Sequence, residues 1–473
     1  MRYYLDPFGC VKNQVDAENM MLYLNNAGWS AAPVAEDADL VIINSCGFIE
    51  SAKRESINAV LGWRSLFPNK KILLAGCLAQ RYAKDLRESL PEADALFGVD
   101  DISQIVNVVN NIMGTGDWGL GTGEWGCGNA ALGTGGKNDL SSRPLLSFPG
   151  SAYVKISEGC NNRCSYCAIP LIRGPLRCRT VPDIVQECKG LLARGVRELC
   201  IVGQDIGSYR SGDSGLPELL NAIAELEGNF WVRLLYIHPD HFPLPILDLM
   251  EKDTRFLPYF DIPFQHGSPA ILCAMNRNDT MNRSGTMNRN DTTNRYGTVE
   301  RYIALAETIR SRLPAAVIRT TFLLGFPGET DADFVCLLDF QAAIRPDWLG
   351  CFCYSREEDT PAYSMKGKVP KKIAEQRRQE VEQRQIPITE QSVDRFVGQT
   401  LDVLLEEQFS NAEGEDDKPD STGGLWLGRL CCHAPEVDGA AVVINGSPEL
   451  KPGDMVPCAV ITRRGFDLEV MVV

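Results

Sequence analysis

Short hydrophobic runs alternate with helical patterns along the first 113 residues. The strand-like runs are Arg2–Leu5, Leu40–Ile43 and Lys71–Ala75, and the helix-like stretches include Asp16–Ala27 and Glu50–Trp63. Strands that alternate with helices are typical of βαβ units. The pattern therefore predicts an N-terminal α/β domain, residues 1–113, with a parallel sheet.

The same alternation recurs six times between residues 148 and 365. The six strand-like runs are Tyr153–Ser157, Arg197–Val202, Trp231–Ile237, Tyr259–Pro263, Val317–Leu324 and Trp348–Tyr354. Helical patterns such as Asp183–Arg194 and Leu216–Leu226 separate them. Six βα repeats predict a central domain whose parallel sheet curls into an open (βα)6 barrel.

A charged helical segment, 366–396, is predicted to connect this domain to a third one. Residues 397–473 contain short alternating runs broken by Gly and Pro, the pattern of a small β-barrel or β-sandwich. The runs are Thr400–Leu405, Ala440–Val443, Met455–Ile461 and Phe466–Val473. The whole chain is thus predicted to be a multidomain α/β protein.

Three segments have compositions that cannot build a packed core. Segment 114–147 is predicted to be a Gly-rich linker, because ten of the 23 residues from 114 to 136 are Gly. Residues 275–298 hold four copies of a polar hexad that begins with MNRNDT, and the acidic tract EGEDDKPD spans 413–420. Both are predicted to be surface loops.

Composition narrows the class of protein. With 44% hydrophobic and 23% charged residues, the 473-residue chain is globular and not disordered. We find neither a spanning run of ~18 apolar residues nor a signal peptide, so we expect a cytoplasmic protein without membrane contact. The net charge of −15 argues against a general nucleic-acid binder but leaves room for a local basic patch.

Cysteine is the most informative residue type, with 17 copies against four His. The motif Cys160-x-x-x-Cys164-x-x-Cys167 follows the first strand of the predicted barrel, at the end where barrel active sites lie. Three thiolates hold three corners of a 4Fe-4S cluster and leave the fourth iron open, whereas zinc usually takes four protein ligands. We therefore favour a cluster over a purely structural set of thiols.

A second set comprises Cys10, Cys46 and Cys77, each a few residues after a strand-like run. The carboxyl ends of parallel strands share one edge of a sheet, so the three loops can converge. Lone cysteines are also often small buried hydrophobic residues. From the residues alone, a shared metal site and core packing both remain open.

The first motif, with its aromatic Tyr166, resembles the radical S-adenosylmethionine superfamily. Both cysteine sets together resemble the methylthiotransferase family, which has an N-terminal domain with a second 4Fe-4S cluster, a radical domain and a TRAM β-barrel. The resemblance implies two 4Fe-4S clusters, one on Cys160, Cys164 and Cys167 and an auxiliary one on Cys10, Cys46 and Cys77. It also implies S-adenosylmethionine contacts near Tyr166, Gly203, Gln204, Asp205 and Gly325.

Short sequence motifs such as GCVKNQVDAE, CAIPLIRGPLR and YFDIPFQH resemble those of the ribosomal-protein branch of this family. That resemblance implies methylthiolation of an aspartate β-carbon in a small-subunit ribosomal protein, number twelve. An adenosyl radical would remove a hydrogen atom, and a methylated sulfur would arrive from the auxiliary cluster. A second S-adenosylmethionine would supply the methyl group, and an electron donor is implied as a partner.

Charge supports a protein substrate over RNA. Residues 396–473 carry five basic and 14 acidic side chains, a net charge of −9. Such a domain repels phosphates and attracts a basic ribosomal protein, so transfer RNA is disfavoured as a partner.

Two alternatives remain: a transfer-RNA adenosine methylthiotransferase, and a non-catalytic iron-sulfur or electron-transfer protein. Production of 5'-deoxyadenosine separates the last from the enzymes.

Seven other cysteines are predicted to fill the core, because they lie in apolar helical or strand-like patterns. They are Cys188, Cys200, Cys273, Cys336, Cys351, Cys353 and Cys458.

The hexad tract generates a first prediction. Deletion of residues 276–293 leaves a single hexad, and extending a polar loop costs only ~0.6 kcal/mol per doubling of its length. We expect the deletion variant to keep its iron content and its melting temperature, measured by iron assay and thermal unfolding. A large fall in melting temperature would show that the tract is packed structure.

Overall fold

The computed structural model describes residues 1–114, 139–277, 298–409 and 424–473. The Gly-rich tract up to residue 138, the hexads beyond Arg277 and the acidic loop at 413–420 lie outside these ranges. Within them, no helix combines the length and the apolar character needed to span a bilayer.

The N-terminal unit is a five-stranded, fully parallel sheet in the order β2-β1-β3-β4-β5. The strands are Arg2–Pro7 (β1), Ser30–Ala31 (β2), Leu40–Ser45 (β3), Lys71–Gly76 (β4) and Ala95–Phe97 (β5). The helices are Val11–Asn26 (α1), Glu50–Leu66 (α2), Cys77–Arg81 (α3), Ala83–Ser89 (α4) and Ile105–Ile112 (α5). Strand β3 is buried along its whole length, as expected where both faces of a parallel sheet are covered.

The central unit is an open sheet of six parallel strands in the order β15-β14-β13-β12-β9-β6, which confirms the predicted architecture. Its strands are Ser151–Lys155 (β6), Glu198–Val202 (β9), Trp231–Leu234 (β12), Phe256–Asp261 (β13), Val317–Leu324 (β14) and Trp348–Cys353 (β15). Short pairs flank the sheet: Ser157–Glu158 (β7) with Arg177–Cys178 (β8), and Arg210–Ser211 (β10) with Ser214–Gly215 (β11).

The helices of this unit cover one face of the sheet. They are Val181–Ala193 (α7), Leu216–Ala224 (α8), Ile246–Met250 (α9), Pro269–Ala274 (α10), Thr298–Arg312 (α11) and Asp331–Ile344 (α12), whereas the short helix Ile169–Arg173 (α6) packs against the N-terminal unit. Side chains alternate along each strand, so Ala152 and Val154 of β6 pack toward the helices, whereas Tyr153 packs toward the C-terminal barrel.

A long helix, Lys371–Asp394 (α13), leads to a closed five-stranded barrel in the order β16-β17-β18-β20-β19, as predicted for this region. The barrel strands are Thr400–Phe409 (β16), Gly424–Arg429 (β17), Ala441–Gly446 (β18), Met455–Arg464 (β19) and Asp467–Val472 (β20). Its core is continuous with the second face of the central sheet, through residues such as Trp231, Trp348 and Leu430.

Buried ion pairs fix the barrel to the central sheet. The Glu198 carboxylate of β9 pairs with Arg233 of β12 at 2.7 Å and with Arg429 of β17 at 2.6 Å. Arg429 also pairs with Glu406 at 2.5 Å. Burial alone raises the pKa of Glu198, but the two arginines lower it to about 2.

The described end of the predicted linker is packed against folded structure. Arg143 is fully buried and pairs with Glu18 of the N-terminal unit at 2.9 Å and with Glu187 of the central unit at 2.5 Å. Residues 139–147 thus help to join the two units, and the division of the chain at residues 113 and 148 stays a prediction.

The cysteines expected in the core divide into three groups. Cys188, Cys200 and Cys458 are buried, whereas Cys351 and Cys353 are only partly buried. The prediction is wrong for Cys273 and Cys336, which are exposed. They lie on α10 and α12, and an apolar pattern does not reveal which side of a helix faces solvent.

A stability prediction follows from the barrel contact. Glu198→Gln leaves Arg233 as an unpaired buried charge and leaves Arg429 with Glu406 as its one remaining carboxylate partner, and we expect the free energy of unfolding to fall by about 3–5 kcal/mol. Because the pKa of Glu198 is lowered, its contribution is present above the ordinary pKa and is lost as pH falls toward about 2.

Urea unfolding followed by circular dichroism measures this loss. The exposed Glu407 of the same barrel provides the control, and Glu407→Gln should change stability by less than about 0.5 kcal/mol. Equal effects of the two substitutions would show that the buried pairs do not hold the barrel in place.

Candidate functional site

The strand register brings the loops of Cys10, Cys46 and Cys77 to one edge of the N-terminal sheet. Ser45 of β3 is the register partner of Gly76 of β4, and each is followed directly by a cysteine. Cys10 lies three residues after β1. The loops approach so closely that a Cβ on Gly47 would lie 2.8 Å from the Cys77 backbone.

Asn13, in the first turn of α1, ties these loops together. Its side-chain amide donates hydrogen bonds to the carbonyl oxygens of Phe8 and Ser45, at 3.3 and 2.9 Å. Its amide oxygen accepts from the Cys77 thiol at 3.2 Å and from Arg173 of the central unit at 2.6 Å. The backbone geometry around all three cysteines therefore depends on one buried amide.

The thiols of this set differ in proton affinity. Burial raises the pKa of Cys77 to about 12 and also raises the pKa of Cys46. Removal from bulk water raises the pKa of Cys10 as well, but the charges of Lys12 and Arg173 outweigh it and hold that pKa below its ordinary value. Arg173 also donates to the Cys77 sulfur at 3.2 Å.

The Cys160, Cys164 and Cys167 loop follows β7 at the open end of the central sheet. Backbone N–H groups point at two of its sulfurs: Asn162 donates to Cys160 at 3.4 Å and Ile169 to Cys167 at 3.5 Å. Burial raises the pKa of Cys160 to about 11, and it raises the pKa of Cys167 still further. Gly159 has φ +74°, and a Cβ there would collide with the Pro175 carbonyl oxygen.

The predicted residues after β9 lie beside this loop. Asp205 accepts hydrogen bonds from Asn162, Ser208, the backbone N–H of His238 and the His241 ring, at 2.6–3.1 Å. Its carboxylate therefore anchors the Cys160 loop to two neighbouring loops.

Gly203 and Gln204 form a close-packed edge of the same region. A Cβ on Gly203 would lie 2.7 Å from the Ser157 hydroxyl. The Gln204 amide oxygen and the Ser157 hydroxyl are buried without a hydrogen-bond partner among the described residues. Both atoms are available to form hydrogen bonds with polar groups of a bound ligand.

Tyr166 and the Gly325 loop meet through an apolar cluster. Phe326, which follows Gly325, packs with Met275 and Ala362, and Tyr166 lies against the same cluster. The Gly325 N–H donates to Glu329 at 2.6 Å, and its φ of +72° suits glycine. Arg277 is buried, and its charge acts on Tyr166 and on the three cysteine thiols.

The short helix α6 joins the two cysteine sets. It begins two residues after Cys167, and its Ile172 packs with Cys77 and Ala168. Its last residue, Arg173, pairs with Asp16 at 3.0 Å and with Glu158 at 2.8 Å.

Lys155 completes this network by pairing with the same two carboxylates, so the charges balance. Sequence reasoning missed this group, although polar residues repeat in the helical run that follows Cys10. Lys12, Asn13 and Asp16 are buried polar residues within its first two turns.

Both cysteine sets suit an iron-sulfur cluster. Among the described residues, no three His, Cys, Asp or Glu side chains converge to hold a single metal ion. Each thiolate of a 4Fe-4S cluster binds a different iron, so convergence on one point is not required. Each set offers three thiols on tightly packed loops. Hydrogen bonds to the sulfurs are among the features that set the reduction potential of such clusters.

Three family models match the chain. The Uncharacterized protein family UPF0004 matches residues 2–98, the Radical SAM superfamily residues 154–340, and the TRAM domain residues 397–473. The first region contains Cys10, Cys46 and Cys77, the second contains Cys160, Cys164 and Cys167, and the third is the closed barrel.

A solved structure shares the overall fold. The radical S-adenosylmethionine methyltransferase TsrM from Kitasatospora setae, determined with cobalamin and a [4Fe-4S] cluster bound, superimposes with a TM-score of 0.54 at 15% identity. The match covers 76% of this chain and 73% of TsrM. At this identity the likeness concerns the fold alone.

Curated relatives match from end to end. The ribosomal protein uS12 methylthiotransferase RimO of Treponema denticola is 44% identical, over 99% of this chain and 100% of that protein. The RimO proteins of Clostridioides difficile and Aquifex aeolicus are 35% and 36% identical, over 99% and 97% of this chain and 98% and 94% of their own lengths. The chain belongs to the RimO family of radical S-adenosylmethionine methylthiotransferases.

Proposed function

We propose that this chain attaches a methylthio group to the β-carbon of an aspartate in ribosomal protein uS12. The observation that carries the proposal is the junction at α6, where one helix links the radical-domain cysteine loop to the second cysteine set. A hydrogen atom can then be removed and a sulfur group delivered at neighbouring sites on the same molecule. Membership of the RimO family names the substrate protein.

We assign one 4Fe-4S cluster to Cys160, Cys164 and Cys167, and an auxiliary cluster to Cys10, Cys46 and Cys77. When bound, the first cluster and S-adenosylmethionine supply a 5'-deoxyadenosyl radical, which removes hydrogen from an unactivated carbon. Tyr166, Gly203, Gln204, Asp205 and Gly325 surround that site in the proposal. A separate protein must donate the electron.

Among its described residues, the barrel has few unpaired cations with which to bind RNA. Arg429 is buried against Glu198 and Glu406, Arg463 pairs with Asp394 at 2.6 Å, and Arg464 pairs with Glu469 at 2.8 Å. Phosphate-driven binding requires unpaired Lys and Arg side chains. The remaining acidic surface suits a basic ribosomal protein better than transfer RNA, and we place the enzyme in the cytoplasm with its substrate.

The cluster assignment predicts two separable losses. Changing Cys160, Cys164 and Cys167 to Ala should remove about half of the iron and all cleavage of S-adenosylmethionine. Changing Cys10, Cys46 and Cys77 to Ala should remove the other half and keep cleavage, but abolish sulfur transfer. Iron analysis and chromatography of 5'-deoxyadenosine measure both effects.

The triple variant Cys188, Cys200 and Cys458 to Ala provides the control, because these buried cysteines lie in the cores. It should retain full iron content. If the Cys10, Cys46 and Cys77 variant also retains full iron, the auxiliary site is misassigned.

The identity of the substrate is tested by comparing two separate reactions. Reconstituted enzyme is incubated without oxygen with S-adenosylmethionine, a reductant and either uS12 or transfer RNA. We expect one methylthio group on an Asp of uS12, with salt-sensitive binding of uS12 and weak binding of transfer RNA even at low salt. Mass spectrometry of peptides and nucleosides reports the product, and methylthiolated adenosine without a modified peptide would overturn the proposal.

A further inference from the structure

Lys12 of α1 is a buried cation that forms no ion pair with a carboxylate among the described residues. Its side chain is only 8% exposed, and its ammonium nitrogen lies 3.3 Å from the centre of the Tyr236 ring. Within the described ranges, this ammonium makes no hydrogen bond and no ion pair, and the aromatic ring is its principal neighbour. Burying an unpaired charge is costly, so such a group is expected only where an anion completes it.

The neighbouring carboxylates already form ion pairs with other cations. Asp261, at the end of β13, acts on Lys12 from a distance but pairs directly with Arg319 at 3.1 Å. Lys155 pairs with Asp16 and Glu158. Lys12 is therefore the buried ammonium of this region that remains available to a ligand.

Lys12 brings the Cys10 segment into contact with the central unit through Tyr236. One residue separates it from Cys10, whereas Tyr236 follows β12 at the open end of the central sheet. The Tyr236 carbonyl accepts a hydrogen bond from Ile206, in the loop that also carries Asp205 beside Cys160. Tyr236 is held at φ 67°, a left-handed conformation that is uncommon outside glycine and often marks functional sites.

We propose that Lys12 binds the side-chain carboxylate of the substrate aspartate, an inference that rests on the proposed function. The β-carbon of aspartate is bonded directly to that carboxylate. An ammonium beside Cys10 therefore holds the reacting carbon near the auxiliary cysteines, which is where the sulfur group must be supplied. The same contact selects Asp over Asn, because an amide carries no charge to pair with Lys12.

The test compares uS12 with a uS12 variant in which the target aspartate is Asn. Equilibrium binding to the cluster-loaded enzyme is measured by anisotropy of labelled uS12, and methylthiolation is measured in parallel. The enzyme variants are Lys12→Met, Lys12→Gln as a second neutral variant, and Lys12→Arg, which keeps the charge. Lys71→Met removes a lysine charge from a surface pair with Asp94 in the same unit and is the matched control.

Wild type and Lys71→Met should bind the Asp form at least tenfold more tightly than the Asn form. Lys12→Met and Lys12→Gln should weaken binding of the Asp form by the same factor, at least tenfold, leave the Asn form nearly unchanged and so erase the preference. Lys12→Arg should restore part of it. Iron content and the electron paramagnetic resonance spectra of both clusters should match wild type.

Three results would overturn the inference. In the first two, the neutral variants keep the Asp preference, or they weaken the binding of both forms of uS12 equally. A changed auxiliary-cluster spectrum with an intact Asp preference would show that Lys12 serves the Cys10 thiolate instead. Failure of wild type to methylthiolate uS12 refutes the proposed function, whereas normal wild-type activity with an unchanged preference in the neutral variants refutes only the role of Lys12.

Discussion

Four buried charges, Asp16, Lys155, Glu158 and Arg173, hold the two cysteine-bearing units in one fixed arrangement. Each carboxylate contacts both cations, so the set is neutral and the cost of removing four ions from water is offset within it. Asp16 comes from the N-terminal unit and the other three from the central unit. Because Arg173 also touches Cys77, the same contacts that join the units set the environment of a candidate cluster ligand.

The barrel is attached by a second buried network that has a different consequence. Glu198 forms ion pairs with Arg233 and Arg429. Arg233 also donates a hydrogen bond to the Cys431 carbonyl oxygen at 2.9 Å. One of the few cations of the barrel is thereby removed from its surface. The surface of the folded barrel is therefore more acidic than its composition indicates. The contact with the central sheet buries a positive charge that RNA binding would need.

The sequence predicted the features that depend on periodicity and on loops after strands. Six central strands, the closed barrel and the placement of each cysteine set at one sheet edge follow from such patterns. Strands β2, β5 and β17 escaped prediction because the first two are only two and three residues long, and the third follows the acidic loop. The ion networks also escaped, because Asp16 and Lys155 lie 139 residues apart and sequence does not show which charges become buried.

The first two turns of α1 combine functions that are usually spread over a site. Cys10 occupies the N-cap position, Asn13 forms hydrogen bonds that connect the three cysteine loops, and Asp16 pairs with Arg173 of the neighbouring unit. Residues three apart on a helix share a face, so Asn13 and Asp16 both reach Arg173, while Lys12 points elsewhere, toward Tyr236. The helix thus holds the cysteine loops with one face and leaves a single buried ammonium free on another, which is why that lysine can be substituted without dismantling the contacts that position the cysteines.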